Sequence, residues 1–487
     1  MKTLATLDTL FVSLDTARWP LHGGGIFVLD PSTAPAELTF DVFTSHVRRE
    51  LPVLTPLRRR LVRTPFGLAE PVWVEDPDFN LDRHVHRIAV PAPGGSTELR
   101  HLVAKLGDTP LDGSRPLWDM WFIEGLQHGR VAVFFKMHHA YTDGMGGLKM
   151  LSHLMTDSAE SPPEAPRDRW KPDRVPTGAE MLVRAVPKII TQPLRATRAI
   201  TGLARAVIPG RLAALLRPTV EDGPSERATG APFDCPRVSI SEVSPGQIRR
   251  SMGWIQAPMS DIQQVREAFD VTFNDVCLAM VTGSLRSYLS DRGELPTSPL
   301  TAVNPVNMRD ESDSTEVENK FSLLVPLLPT QIADPVERLR TITSGMGRAK
   351  TSLKRAGTNP VENIFDIVTP GAVELAVGVL SSNMAPDIPP VFNMCLTNIA
   401  GARQPQFICG AEVEEFYIMM MQALGIGPVC AVVTYAGIAN FSFTTNGDLV
   451  PDAQELADGL QNELRILLGA ATDLPAGGSS TGKKRVD

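Results

Sequence analysis

The chain predicts an α/β protein built in two parts, and three observations carry that expectation. Residues 1 to about 157 alternate strand-like and helix-like stretches. A proline-rich run at 161–172 then excludes regular structure. Beyond it, short apolar strands and longer helices return. The expected division is an N-terminal half at 1–160, a linker carrying basic helices at 161–235, a C-terminal half at 236–472 and a disordered tail at 473–487. At 487 residues the chain is long enough for two or three cores.

The elements follow in order. Val131-Ala132-Val133-Phe134-Phe135-Lys136-Met137 is β-branched and aromatic with one Lys, which reads as a buried strand. Gly144, Gly146 and Gly147 open the next element, a helix expected at 147–155. Residues 181–218 hold Arg184, Lys188, Arg195, Arg198, Arg205, Arg211 and Arg217, with no acid between Glu180 and Glu221. The first five recur at helical spacing on one face, and Pro187 and Pro193 predict a break into two or more short helices. Two readings stand for this segment: a basic amphipathic surface for anionic lipid, or an interdomain helix with a solvated basic face. The C-terminal half opens with a strand at 254–257, a helix from about Ser260 and a longer apolar helix at 274–290. Residues 416–447 carry no charge and are numerous enough to span a bilayer. Gly425, Gly427 and Pro428 break them, however, and 431–437 with 439–443 read as paired core strands.

Composition narrows the function. A net charge of −8 argues against a general nucleic-acid binder. Five scattered cysteines without a C-x-x-C pair suit reduced thiols in the cytoplasm, and neither a disulfide framework nor a zinc site. The G-x-S-x-G match at 478–482 lies in the tail and not between a strand and a helix, so it is no nucleophile elbow.

The segment His138-His139-Ala140-Tyr141-Thr142-Asp143-Gly144 starts where the 131–137 strand ends. An imidazole there sits on a rigid element and titrates near neutral pH, so it can take a proton from an alcohol. A metal site and a satisfied core histidine are the rival readings. Adjacent residues on an extended chain point to opposite faces, which disfavours a shared metal. All nine histidines lie at or before His153, so the base comes from the first half and the second builds walls around it. His84 and His86, flanked by Arg83 and Arg87, read as a solvated strand face.

These features, in this order, resemble the bacterial wax ester synthase/diacylglycerol acyltransferases over nearly all of 4–470. Leu7-Asp8 with His22-Gly23-Gly24 is similar to the family's opening, and Pro116-Leu117-Trp118 to its P-L-W motif. His138 to Gly144 matches H-H-x-x-x-D-G, Asn274-Asp275 the N-D motif, and Pro305-Val306-Asn307-Met308-Arg309 a P-V-S-L-R strand. Condensation domains of peptide synthetases share H-H-x-x-x-D-G. Glu318-Asn319 stands where the family has Gly-Asn, and Thr397-Asn398-Ile399-Ala400-Gly401 loses a proline, changes that bear on the acceptor pocket.

The resemblance implies two related chloramphenicol acetyltransferase-like halves with a channel between them. It implies an acyl-CoA co-substrate, no cofactor, no metal, and diacylglycerol or a long-chain alcohol as acceptor. On this reading His139 is the general base of direct acyl transfer, Asn274 offers an oxyanion donor or simply caps its helix, and His138 braces the strand end or lines the channel. Asp143 serves structure by pairing with Arg309 or acts in catalysis as a relay to His139, Gly144 permits close backbone approach, and Asn398 and Gly401 face substrate. Asp275, Trp118 and Pro116 are support. The protein is expected in the cytoplasm, at a membrane or lipid-inclusion surface through 181–218. Transfer from a carrier-protein thioester and a catalytically silent lipid-surface protein are the alternatives.

Overall fold

β-Branched and aromatic runs fold as strands wherever they alternate with turn-forming residues. The computed structural model describes residues 1–16, 18–141, 144–160, 167–191, 235–242, 248–307, 321–356, 369–380, 390–422 and 425–473. Its first strands are β1 (Lys2–Thr3), β2 (His22–Asp30), β3 (Arg59–Val62), β4 (Val72–Glu75), β5 (Val85–Ala89), β6 (Trp118–Glu124) and β7 (Val131–His138). Then come β8 (Arg250–Pro258), β9 (Leu300–Asn307), β10 (Phe321–Leu324), β11 (Leu327–Leu328) and β12 (Met394–Ala400). The last are β13 (Phe407–Ile408), β14 (Ala411–Met419), β15 (Val429–Tyr435) and β16 (Ile438–Asn446).

They form two large sheets and a small one. The first runs β13-β14-β2-β7-β6-β5, the second β10-β9-β12-β15-β16-β8 with β11 also on β9, and the third β1-β4-β3. β12 lies parallel to both its neighbours, so the second sheet is mixed, as is the first through its parallel β5–β6 pair. The α/β class is thus the observed one. β15 and β16 are the antiparallel pair expected in the uncharged stretch, with Tyr435 opposite Ile438.

β14 belongs to the C-terminal part of the chain but pairs with β2, from Glu412 opposite Asp30 to Met419 opposite Gly24. The sheets therefore do not divide where the chain does. Hydroxyls of β16 hold this crossing strand: Ser442 Oγ donates to Ile418 O at 2.8 Å, and Thr444 Oγ1 accepts from Met420 N at 3.0 Å.

Four helices of the first part matter for the site: α1 (Thr6–Leu14), α2 (Phe40–Glu50), α3 (Ser96–Asp108) and α4 (Gly144–Leu151). α4 starts three residues earlier than the sequence suggested and gives way to a 3₁₀ turn at Ser152–Leu154. α3 buries Leu99, Val103 and Ala104 against Ile26 and Phe134 of the first sheet and Met252 and Trp254 of the second. The apolar helix Phe273–Asp291 packs on Ala453–Thr472 in the separate core of the second sheet. No helix among the described residues is long and apolar enough to cross a membrane.

Two expectations are corrected. His84 is buried: its ring stacks on Trp118 at 4.4 Å and its Nδ1 donates to Trp118 O at 2.7 Å, so an aromatic face outweighs the flanking arginines. Residues 178–191 form one continuous helix through Pro187, without the expected break. The carbonyl that Pro187 leaves without a helical partner belongs to Val183, a 71% exposed residue at a turn where water can bond it. The rest of the basic segment, 192–218, lies outside the described residues, as do 161–166 and the tail from 474.

β2 runs as Gly23-Gly24-Gly25 between β7 and β14 because nothing larger fits. A Cβ on Gly24 would lie 2.1 Å from Phe135 O, and one on Gly23 would lie 2.7 Å from Met419 O. Gly24→Ala is predicted to lower stability by about 3 kcal/mol, because backbone on the partner strand cannot yield. Gly347→Ala has nothing within 4 Å of the new methyl and sits inside the helix Pro335–Ala356. It should leave the urea midpoint unchanged or raise stability by about 0.5–1 kcal/mol. Equal midpoints for the two variants would contradict the account of β2.

Candidate active site

The strand alternation of β7 separates the two histidines at its end. His138 pairs across with His22 of β2, and the next residue continues the ladder, His139 N donating to Leu21 O at 3.0 Å. The two imidazoles then open onto different cavities.

His139 faces an apolar cavity of ≈ 80 Å³. Gly24, Met137, Leu151, Ile399, Phe416 and Met419 to Met421 are among the residues that wall it, so β2, β7, α4, β12 and β14 all contribute. Phe11 of α1 lies against the imidazole with ring centroids 4.4 Å apart. Nδ1 is buried and has no hydrogen-bond partner among the described residues. Apolar burial, with the neighbouring His138 as a smaller cause, lowers the imidazole pKa from 6.5 to about 4. The ring is therefore a neutral acceptor at physiological pH. Tyr141 fixes the turn that follows: its hydroxyl accepts from Leu117 N at 3.0 Å, donates to Arg59 O at 2.7 Å, and its ring stacks on Trp73.

His138 is buried on the other side, beside a cavity of ≈ 500 Å³ that Asp15, His22, Arg60 and Arg63 also line. Its Nδ1 accepts from Ala140 N at 3.0 Å, which places the proton of the neutral ring on Nε2. Nε2 stands 3.6 Å from Asp15 Oδ2, and Asp15 Oδ1 accepts from Leu21 N at 2.8 Å. Asp15 thus orients His138 and pins the residue that binds the His139 backbone. The two histidines do not converge, so they do not share a ligand position.

The remaining residues singled out by sequence fall in several places. Asn274 is in the first turn of the helix Phe273–Asp291, but the cap is Thr272, whose Oγ1 accepts from Asp275 N while the Asp275 carboxylate accepts from Thr272 N. Asp275 is therefore helix support, and Asn274 is not the cap. Asn274 Oδ1 instead accepts from Asn304 Nδ2 at 3.0 Å and Asn398 Nδ2 at 2.6 Å. This trio ties the helix to β9 and β12. Asn274 is absent from the lining of both cavities. Asn398 precedes Ile399 on β12 and so projects from the opposite face, away from the His139 cavity.

Gly401 meets β15 closely, its N donating to Thr434 O at 2.9 Å, with no room for a side chain. Gly144 is the first residue of α4. Trp118 is fully buried and its Nε1 donates to Leu57 O at 2.7 Å. Asp143 and Arg309, the expected ion pair, lie outside the described residues, as does Glu318-Asn319.

Sequence reading passed over Phe11, Asp15, Tyr141, Asn304 and the Met419-Met420-Met421 run. The signal for Asp15 was present, as an acid just beyond an apolar helix and just before Pro20-Leu21-His22. The signal for Asn304 was a polar residue amid an apolar strand. For Phe11 and the methionines no local signal exists, because they reach the site from α1 and the crossing strand.

Comparison with known proteins bears on the whole chain. Residues 4–277 match the model of the wax ester synthase/diacylglycerol acyltransferase catalytic domain, and 317–468 that of the WS/DGAT C-terminal domain. A Mycobacterium tuberculosis protein named as a diacylglycerol O-acyltransferase is 31% identical over 478 residues, 98% of this chain and 92% of that one. The structure of the wax ester synthase/diacylglycerol acyltransferase from Marinobacter aquaeolei VT8 superposes with a TM-score of 0.67 at 23% identity, covering 97% of this chain and 100% of that one. The first condensation domain of the CDA synthetase does so with a TM-score of 0.53 at 13% identity, covering 98% and 97%. These two likenesses show the fold.

The histidine environments set an acid-side stability loss. His84 and His139 titrate at about 4 in the folded chain, against 6.5 when unconstrained. Between those values the unfolded chain binds more protons, so stability falls as pH drops from 6.5 toward 4 and is insensitive to these groups above 6.5. The urea midpoint at about pH 5 is predicted below that at about pH 7.5, with a smaller drop in His84→Gln. A midpoint constant across this range would contradict the burial of both rings.

Proposed function

The chain belongs to the wax ester synthase/diacylglycerol acyltransferase family, and on that premise we propose that this O-acyltransferase moves a fatty acyl group from acyl-CoA to diacylglycerol or a long-chain alcohol. His139 is the general base and no acyl-enzyme forms. The observation that carries this reading is a neutral imidazole held in the wall of an apolar cavity.

The acceptor hydroxyl gives its proton to His139 as its oxygen bonds to the thioester carbon. The tetrahedral oxyanion then collapses, the C–S bond breaks, and the CoA thiolate takes the proton from His139. A ring with a pKa of about 4 is a weak base in the empty site. During transfer, however, the oxyanion forms beside the imidazolium, and their attraction in an apolar environment offsets the burial cost that lowered the pKa. The charge pair exists only at the transition state, so the site favours that state over bound substrate. His138 and Asp15 act as positioning residues, and the asparagine trio holds the end of β12 so that Ile399 forms a cavity wall. Because acceptors with long chains reside in membranes and lipid inclusions, we place the enzyme on such a surface from the cytoplasmic side.

Two outcomes follow. His139→Ala is predicted to cut the acceptor-dependent release of CoA from palmitoyl-CoA by roughly 10²–10⁴-fold, with dipalmitoylglycerol or hexadecanol as acceptor and the fold intact. Unchanged release would remove His139 from the base role. In wild type the acid limb of kcat/KM against pH, which reports the substrate-free enzyme, should lie well below 6.5, where an unperturbed histidine would place it. A limb at 6.5 would mean that the titrating base is another group.

A further inference from the structure

From Asp168 to Pro176 the linker carries Pro172 and Pro176 and adopts neither helix nor strand. A segment without a hydrogen-bond ladder of its own has to be held by its neighbours, and this one is fastened to the small sheet. Arg58 Nη1 donates to both Asp168 carboxylate oxygens, at 3.0 and 2.8 Å. Trp170 Nε1 donates to Glu75 Oε2 at 2.9 Å, and its ring lies 5.2 Å from the Arg58 guanidinium. Asp173 N donates to Glu75 O at 2.9 Å, while its carboxylate accepts from Glu75 N at 3.3 Å. The Arg58 side chain is only 6% exposed, so the linker supplies the carboxylate that offsets a buried charge.

The residues that the linker grips are also those that hold the turn His139–Tyr141. Along Leu57-Arg58-Arg59, the first carbonyl accepts from Trp118 Nε1, the second side chain takes Asp168, and the third carbonyl accepts from the Tyr141 hydroxyl at 2.7 Å. Arg59 Nε donates to Glu75 Oε1 at 2.7 Å, so one carboxylate joins the linker's indole to β3. Trp73, two residues before Glu75 on β4, stacks on the Tyr141 ring. The Tyr141 hydroxyl accepts from Leu117 N, and Leu117 O accepts from His138 N, both at 3.0 Å. Leu117 thus clamps the chain just before His139 and again just after Ala140. A buried hydroxyl bonded both as donor and as acceptor has a fixed place.

We propose that residues 168–173 are a strap that positions the catalytic base, acting through Glu75, the Arg58-Arg59 segment and the Tyr141 hydroxyl on the turn that holds His139. The proposal rests on the acyltransferase reading above, with His139 as base. Asp168, Trp170 and Tyr141 touch no reacting atom; they are positioning residues. Proton transfer is sensitive to such support, because a displacement of about 1 Å at the reacting groups can cost about 10²-fold in rate. The strap makes the geometry of the base depend on how the chain between the two halves is laid down.

The test is steady-state transfer from palmitoyl-CoA to hexadecanol, each protein being assayed well below its own melting temperature. It compares wild type with Tyr141→Phe, with a strap variant carrying Asp168→Asn and Trp170→Phe, and with the combination of all three. Tyr141→Phe and the strap variant should each lose about tenfold in kcat, with KM within about twofold of wild type. The combined variant should lose no more than Tyr141→Phe alone, because a single path cannot be cut twice. In both partial variants the titration midpoint of His139, followed by NMR of the imidazole carbons, should rise toward that of a solvated ring. Wild-type kcat in the strap variant, or a His139 midpoint that does not move there, would overturn the proposal and leave the strap a stabilising contact. Losses that multiply in the combined variant would also overturn it, since the strap would then act by a route other than Tyr141. If wild type itself transfers no acyl group, the acyltransferase reading falls, and the His139 midpoint alone decides the strap.

Discussion

The last turn of α3 packs against both sheets, and its final carbonyls have no helical partners. Lys136 Nζ donates to Leu106 O at 2.9 Å and Thr109 O at 2.8 Å, while Arg250 Nη1 and His22 Nε2 both donate to Gly107 O. These donors come from β7, β8 and β2, so one helix end ties three strands and both sheets. The negative end of the helix dipole favours cations at this place. Their burial is costly all the same: it lowers Lys136 to about 8 and Arg250 to about 10. Removing the Lys136 ammonium would leave the Leu106 and Thr109 carbonyls without these bonds, while Arg250 would keep Asp108 at 3.7 Å.

This junction also sets the site. Arg250 Nη2 donates to Pro20 O at 2.9 Å. The next residue, Leu21, takes the His139 amide on its carbonyl and gives its own amide to Asp15. Lys136 precedes His138 by two residues on β7, so anchoring it fixes the phase of the strand. A one-residue slip would exchange the cavities that the two histidines face. The structure prevents that slip with a buried lysine, three glycines that admit no side chain, and an arginine reaching over from the other sheet.

The sequence shows this in outline only. The strand before the histidines, the helix after Thr272, and the β15–β16 hairpin were legible because each has its own periodicity and turn chemistry. The opposed directions of His138 and His139 were legible for the same reason, since strand geometry alone dictates them. What stayed hidden depends on distant residues. The crossing of β14 into the first sheet brings the methionines to the cavity, and no local pattern foretells which sheet a strand joins. His84 looked solvated beside two arginines, but Trp118, thirty-four residues away, supplies the ring that buries it. Asn274 had the residue type of a cap; its neighbour Thr272 took that position, freeing Asn274 for the asparagine trio. Pro187 was expected to break a helix that continues because the affected turn faces water.

The proposed mechanism turns on His139 being neutral in an apolar wall while remaining accessible to substrate. NMR titration of the imidazole carbons in histidine-labelled protein, with His139 assigned by its loss in His139→Gln, tests that directly. The account predicts a midpoint near 4 in the substrate-free protein. A midpoint at or above 6.5 would mean that the ring is solvated or paired with an acid, and would contradict the apolar base on which the mechanism rests.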